Sequence, residues 1–250
     1  MERDGDRMAS DMSFDGQRIV VLGGSSGIGL AVAQAASHAG GTVMIASSNR
    51  ARVDAALAAL PAGAMGHALD LSDEAAVKDF FAGLGAIDHL VYTAGDKLQR
   101  GGLAATDMAT ARNFFGVRYF GAYMAAKYGR ENIRAGGSIV FTSGTAGHRP
   151  RGGWALGASV CAAMEGLTRA LAVELAPIRV NIVAPGLVKT PLWAAMPEAD
   201  REALYQASAA RLPVGHAGEA NEVADAYLYL MRQTYCTGQV LVVDGGGLLV

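Results

Sequence analysis

The densest chemical signal in this chain is the run Gly23-Gly24-Ser25-Ser26-Gly27-Ile28-Gly29, directly after an apolar, β-branched stretch and directly before a segment of helical apolar periodicity. A glycine-rich turn at a strand-to-helix junction lets backbone approach a pyrophosphate, whose charge meets free amides and the positive end of the helix dipole. The same turn serves plain strand-to-helix connections, so the run alone leaves both readings open. A second signal stands where the next apolar stretch ends, at Ser47-Ser48-Asn49-Arg50. An acid there would bond the ribose hydroxyls and repel a 2′-phosphate. With no acid and one guanidinium, the site offers a 2′-phosphate donors and a counter-charge, which favours NADP(H) over NAD(H). The alternatives are a solvated Arg50 and a Ser47-Ser48-Asn49 set serving the unphosphorylated dinucleotide.

The elements that would position these residues follow from alternation. Short β-branched runs alternate with Ala-rich segments of helical length, the pattern of a parallel sheet covered on both faces. Strands are expected at Arg18 to Leu22, Thr42 to Ala46, Gly66 to Asp70, His89 to Thr93, Ser138 to Ser143, Arg179 to Ala184 and Gln239 to Asp244. Helices start near Gly27, Arg50, Asp73, Asp107, Gly153 and Glu219, with Asn49, Ser72 and Thr106 as candidate caps and Gly40-Gly41 ending the first. The expected fold is a single-domain, Rossmann-like, doubly wound α/β unit with a seven-stranded parallel sheet, spanning residues 14–250 behind a floppy arm at 1–13. From Leu187 to about Gly218 no strand is expected. Pro191, Pro197, Pro213, Trp193 and Met196 mark an irregular excursion, either a lid or a surface loop containing a helix.

Composition narrows the function classes. The 250 residues are 51% hydrophobic and 18% charged with a formal net charge of -2, which suits one well-cored domain and not a disordered chain. Without a Lys/Arg cluster there is no electrostatic footprint for nucleic acid. Cys161 and Cys236 are far apart and lack ligand-like companions, so neither a disulfide framework nor a metal site is suggested. The N-terminal stretch has no apolar h-region, and no apolar run is expected to approach the roughly 20 residues that span a bilayer. The expectation is a cytoplasmic protein with a small-molecule substrate and no membrane partner.

Taken together the motifs resemble the short-chain dehydrogenase/reductase family over nearly the whole chain. Gly23, Gly27 and Gly29 match the family's Thr-Gly-x-x-x-Gly-x-Gly loop, with Leu22 in place of the threonine. Asp70, followed by Leu71, looks like the adenine-contacting aspartate. Thr93-Ala94-Gly95 matches the end of the family's Asn-Asn-Ala-Gly segment, with Tyr92 and Thr93 replacing the two asparagines. Asn181, Pro185-Gly186, Val188 and Thr190 resemble the stretch over the nicotinamide amide, and Thr237-Gly238 with Asp244-Gly245-Gly246 resembles the C-terminal strand. The resemblance implies a nicotinamide cofactor. It also implies a dimer or tetramer, built through the helices around Tyr119, Phe120 and Tyr123 and through the C-terminal strand with its apolar tail, Leu248-Leu249-Val250.

The family's Asn-Ser-Tyr-Lys catalytic set is missing. In the register set by Glu174, Asn181 and Pro185-Gly186, Gly157 takes the tyrosine position, Cys161 the lysine position, Gly144 the serine position and Arg118 the asparagine position. Loss of a general acid typically costs about a hundred- to ten-thousand-fold in rate, a severe loss for a neutral ketone. Candidate substitutes are His148 as general acid, its unperturbed pKa being about 6.5, or a loop histidine bonded at the surface. Cys161 could meet the nicotinamide end or be an inert core thiol. Arg118 is a carboxylate clamp or oxyanion stabiliser, or else an ion-pair partner of Glu165. Ser143 or Thr145 could orient a substrate oxygen.

Three readings remain: an NADP-dependent reductase of an already activated acceptor, such as an iminium or conjugated carbonyl; a cofactor-binding pseudoenzyme; and a non-redox isomerase or lyase using a pocket widened at Gly157. Retention of the cofactor loop and the Pro185-Gly186 turn puts the first ahead. Arg118, His148, Trp154, Trp193 and Met196 are the expected substrate-lining residues.

Overall fold

The computed structural model describes residues 13–95 and 101–250, so all of the expected N-terminal arm except Ser13 lies outside the described residues. Along β1 (Arg18–Leu22), Ile19 and Val21 enter one apolar layer while Val20 and Leu22 enter the other. A strand's side chains alternate with period two, so a strand apolar on both faces must sit between two layers of helices. The remaining strands of the main sheet are β2 (Thr42–Ser47), β3 (Met65–Ala68), β4 (Ile87–Tyr92), β5 (Ile133–Thr142), β6 (Arg179–Pro185) and β9 (Val240–Val243). They form one seven-stranded sheet of order β3-β2-β1-β4-β5-β6-β9, and every pairing is parallel. This is the doubly wound architecture expected.

On one face α1 (Gly27–His38), α2 (Arg50–Ala58) and α8 (Ala220–Arg232) bury Val32, Ala36, Val53 and Tyr227 against Ile19, Val21 and Ile45. On the other, α3 (Glu74–Ala82), α5 (Ala122–Gly129) and α6 (Ala155–Glu174) bury Phe81, Ala125, Met164 and Leu171 against Leu90, Ile139 and Phe141. The twenty-residue α6 corrects the expectation that no segment reaches spanning length, for by length and composition alone it qualifies. In the fold it is packed in the core, with Met164, Leu167 and Leu171 each buried.

Three further details depart from expectation. Asp73 and Asp107, not Ser72 and Thr106, cap α3 and α4 (Met108–Phe115), because an aspartate carboxylate accepts from two or three residues ahead in each case. The long helix around Arg118 is divided: α4 gives way to a π-helical segment, Gly116–Gly121, before α5. There the Tyr92 hydroxyl donates to the Val117 carbonyl, and a Cβ on Gly121 would lie 2.3 Å from that hydroxyl. A side chain inserted beneath a helix is a recognised cause of such irregularity. Finally, the excursion after β6 is not free of strand. The two-residue β7 (Val188–Lys189) pairs with β8 (Gly218–Glu219), and α7 (Glu198–Arg211) lies between them.

Candidate functional site

In a doubly wound sheet the crevice opens at the carboxyl ends of the strands, where the order reverses, here between β1 and β4. A cavity of about 1400 Å³ occupies that place. The half beneath β1 and β2 is built by backbone. Gly23 donates to the Ala46 carbonyl at 2.8 Å and Thr93 to the Leu22 carbonyl at 2.8 Å, fixing the loop between its neighbours. Gly23 has φ +91°, and a Cβ there would lie 2.5 Å from the Ala94 nitrogen. A Cβ on Gly29 would lie 2.3 Å from the Gly23 carbonyl oxygen. The first-turn amides of α1 are left for a ligand, since Ser26 at the cap makes no side-chain bond to them.

Gly23, Ser25, Ser26, Gly27, Ile28, Gly29, Ser47, Ser48, Asp70, Leu71, Thr93, Ala94, Gly95, Pro185, Gly186, Val188 and Thr190 all line this one cavity. Asp70 accepts from the Ser72 amide at 2.9 Å and the Ser72 hydroxyl at 2.6 Å, and these bonds hold its carboxyl below the usual range. The residues fit a nicotinamide dinucleotide: the glycines open a cradle that side chains would fill, and free amides face it.

Two predicted residues are placed elsewhere. Asn49 is the N-cap of α2, its side chain accepting from the Arg52 amide at 2.9 Å. Arg50 pairs with Asp54 one turn on, at 2.9 Å, and does not line the cavity. The guanidinium beside Ser47 and Ser48 is that of Arg52, which sequence reading missed. The signal was present, because an Arg and an Asp four apart in a first turn are a helix ion pair.

At the other end, Arg118, Ser143, Gly144, Thr145, Gly157 and Cys161 line the cavity together with Trp154 and Trp193. Arg118 is held between Gly95, where a Cβ would come within 2.7 Å of its Nη1, and the Phe114 ring, 4.9 Å from its Cζ. Trp154 packs on the position that lacks a tyrosine, its Cε3 lying 3.3 Å from where a Gly157 Cβ would be. The space beside Gly157 is therefore bordered by indole. Cys161 sits under Gly144, with Sγ 3.4 Å from that residue's hypothetical Cβ, and burial pushes its thiol pKa up. A thiol held neutral is a packing group.

His148 and Met196 do not line the cavity. Met196 instead packs on the cluster of Trp193, Tyr205 and Ala217. His148 Nε2 lies 3.0 Å from Oε1 of the buried Glu165, and the Ser143 hydroxyl donates to that same oxygen at 3.1 Å. The acid considered as a partner for Arg118 is thus engaged by His148 and Ser143. Of the expected catalytic candidates, Ser143, Arg118 and Cys161 converge on one space, and His148 stands behind it.

Comparison with known proteins agrees with this geometry. The family described as "Enoyl-(Acyl carrier protein) reductase" matches residues 23–247. The chain is 38% identical over 252 residues to a short-chain dehydrogenase/reductase, ATR9, of Stachybotrys chlorohalonatus, covering 94% of this chain and 98% of that one. A crystal structure of a small-chain dehydrogenase in complex with NADPH is 37% identical with a TM-score of 0.81, covering 94% of this chain and all of the other. The MalC reductase/Diels-Alderase of Malbranchea aurantiaca superposes with a TM-score of 0.90 at 32% identity, covering 97% of this chain and 100% of its own.

Proposed function

The chain belongs to the short-chain dehydrogenase/reductase family of oxidoreductases, and on that premise we propose that it is an NADP(H)-dependent reductase of an activated acceptor, an iminium or a conjugated carbonyl compound. The observation that carries this reading is a complete dinucleotide cradle continuous with a walled cavity whose reacting end offers Arg118 and Ser143 but no tyrosine.

When bound, NADPH supplies a hydride. The glycine loop and the first turn of α1 would hold its pyrophosphate, Asp70 its adenine end, and Ser47, Ser48 and Arg52 its 2′-phosphate. Trp154 and Trp193 wall the space for the acceptor. An iminium is already electrophilic and needs no proton from the protein. For a conjugated carbonyl, the hydride would add at the β-carbon, the enolate oxygen would be met by the Arg118 guanidinium, held in place by Gly95 and Phe114, and the α-carbon would then take a proton from water. The Ser143 hydroxyl gives its one proton to Glu165, so the donors that meet this oxygen are those of Arg118.

Residues 187–218 act as the lid of this site, a role supported by Trp193, Leu204 and Ser208, which line the cavity from that excursion. The setting is the reducing cytoplasm, which suits two free cysteines.

The test is to titrate purified protein with NADPH and NADH by fluorescence, then follow NADPH oxidation on panels of iminium and conjugated carbonyl compounds. Tighter binding of NADPH and oxidation on one panel are expected. Binding without turnover on any panel favours a sensor or scaffold, and absence of binding by either nucleotide removes both readings. His148→Ala is expected to retain turnover, because its side chain stands behind the cavity.

A further inference from the structure

Among the described residues, the charged side chains lining the cavity are Arg52, Arg112, Arg118, Arg149, Arg151 and Arg211, against Asp70 and Asp244, in a chain whose net charge is -2. Both acids are already engaged. Asp70 accepts from Ser72, and Asp244 accepts from the Gly246 amide at 2.9 Å and the Leu248 amide at 2.8 Å. Arg52 belongs to the dinucleotide end, beside Ser47 and Ser48. The other five follow β4, β5 and β6, on the half where the acceptor must sit: two flank the α4 to π-helix junction, two stand in the loop after β5, and Arg211 ends α7.

Among the described residues, Arg112, Arg149, Arg151 and Arg211 form no salt bridge. The side chains of Arg112, Arg151 and Arg211 have no ion pair or hydrogen bond among the described residues. Arg149 reaches only the Gly247 and Leu248 carbonyls, at 3.2 and 3.5 Å. Arg112, Arg149, Arg151 and Arg211 are exposed, so water screens them, but like charges gathered at a cleft still repel one another and raise the potential that an entering anion meets. A bound anion relieves that repulsion, while a cation entering must work against it.

We infer that the acceptor is anionic: a conjugated carbonyl compound that also carries a carboxylate or a phosphate. The inference rests on the reductase reading and chooses between its two acceptor classes. Guanidinium forks match carboxylate and phosphate oxygens in pairs. The same field favours the negative charge that hydride addition leaves on a conjugated carbonyl. It disfavours an iminium.

The probes are four benzylideneacetones that differ only at the para position: carboxylate, phosphate ester, methyl ester and trimethylammonium. Each is titrated calorimetrically into NADP⁺-loaded protein, and each is offered as acceptor with NADPH. The two tryptophans of the chain both line the cavity, so their fluorescence gives a second binding readout. The carboxylate or the phosphate is expected to bind about tenfold or more tighter than the methyl ester, with the tighter of the two naming the anion, and the trimethylammonium probe is expected to bind weakest. The preference should shrink to about twofold in the R112Q/R151Q/R211Q variant, with the circular dichroism spectrum retained. It should shrink likewise near 1 M salt, where the Debye length is about 3 Å. Equal or tighter binding of the neutral or cationic probe, absence of binding by all four, or a preference indifferent to salt and to the triple variant would overturn the inference. Anion-selective binding without oxidation on any acceptor would remove the reductase reading and leave the anion site standing. Turnover with no anion preference would do the reverse.

Discussion

Arg50 and Arg52 stand two residues apart on one helical turn, and their partners separate their roles. Arg50 is tied to Asp54, whereas Arg52 borders the cavity beside Ser47 and Ser48. Arg52→Glu is therefore expected to weaken NADPH binding about tenfold, about 1.4 kcal/mol, with NADH binding nearly unchanged. Arg50→Ala should shift neither by more than about twofold, because an exposed i,i+4 pair is worth only a few tenths of a kcal/mol. Equal effects in a fluorescence titration would refute the assignment. At the reacting end, Arg118→Gln is expected to lower kcat by about a hundredfold or more on a conjugated carbonyl, the usual cost of removing one charge-stabilising group. NADPH affinity should change little. A rise in KM with kcat unchanged would mean that Arg118 only binds the acceptor.

At the scale of elements, the turn from β1 into α1 has no room for a side chain at Gly23 or Gly29. A Cβ on Gly29 would come 2.3 Å from the Gly23 carbonyl oxygen and 2.4 Å from Thr93 Oγ1. Both are closer than any packed contact, and the Gly23 carbonyl is backbone. Gly29→Ala is accordingly expected to abolish NADPH binding at micromolar protein and to lower the thermal midpoint, measured by nucleotide fluorescence and by calorimetry. Retained binding would show that α1 can be displaced without consequence. The inner strands were legible from apolar runs because a parallel sheet buried on both faces leaves them little that is polar, whereas the exposed edge strand β3 is shorter than expected and β5 starts at Ile133, ahead of its apolar run. β1 begins and ends where those runs predict. The π-helical break at Gly116–Gly121 was not legible, since it arises from Tyr92, a residue distant in sequence that presses on Gly121. Nor was the β7–β8 pairing, which joins two-residue segments whose partners are remote in the chain.

At the scale of the whole molecule, a buried histidine among the described residues ties stability to pH. His89 is only 5% exposed, bonded at Nδ1 to Ser138 Oγ and at Nε2 to Gln17 Oε1. Burial, and then the positive Arg179, lower its pKa from 6.5 to about 4. The folded state thus favours neutral imidazole, and between these values the unfolded chain binds more protons. Stability is full above pH 6.5 and falls as pH drops toward about 4, by about 3 kcal/mol. Denaturant titrations across that window should show the decline, and His89→Gln should flatten it. An unchanged slope would locate the acid sensitivity elsewhere. We further propose a homodimer or homotetramer formed through the helix face that leaves Phe120 56% and Tyr123 48% exposed, and through the C-terminal end, where Leu249 is 84% exposed. A monomer in sedimentation equilibrium would refute it.

The amino-acid sequence alone determined the sheet, its helices, the dinucleotide loop and the absence of a Tyr-x-x-x-Lys pair, because those depend on local periodicity and on motifs a few residues long. Tertiary structure decided what those signals leave open. Asn49 took the cap role the sequence had offered it, and Arg52, not Arg50, became the cavity's guanidinium, because a first turn directs neighbouring side chains to different faces. His148 was carried behind the cavity to Glu165, and Trp154 was brought against Gly157. Arginines scattered from 112 to 211 came to share one opening, an arrangement that no spacing in the chain records, because it exists only once β4, β5 and β6 lie side by side.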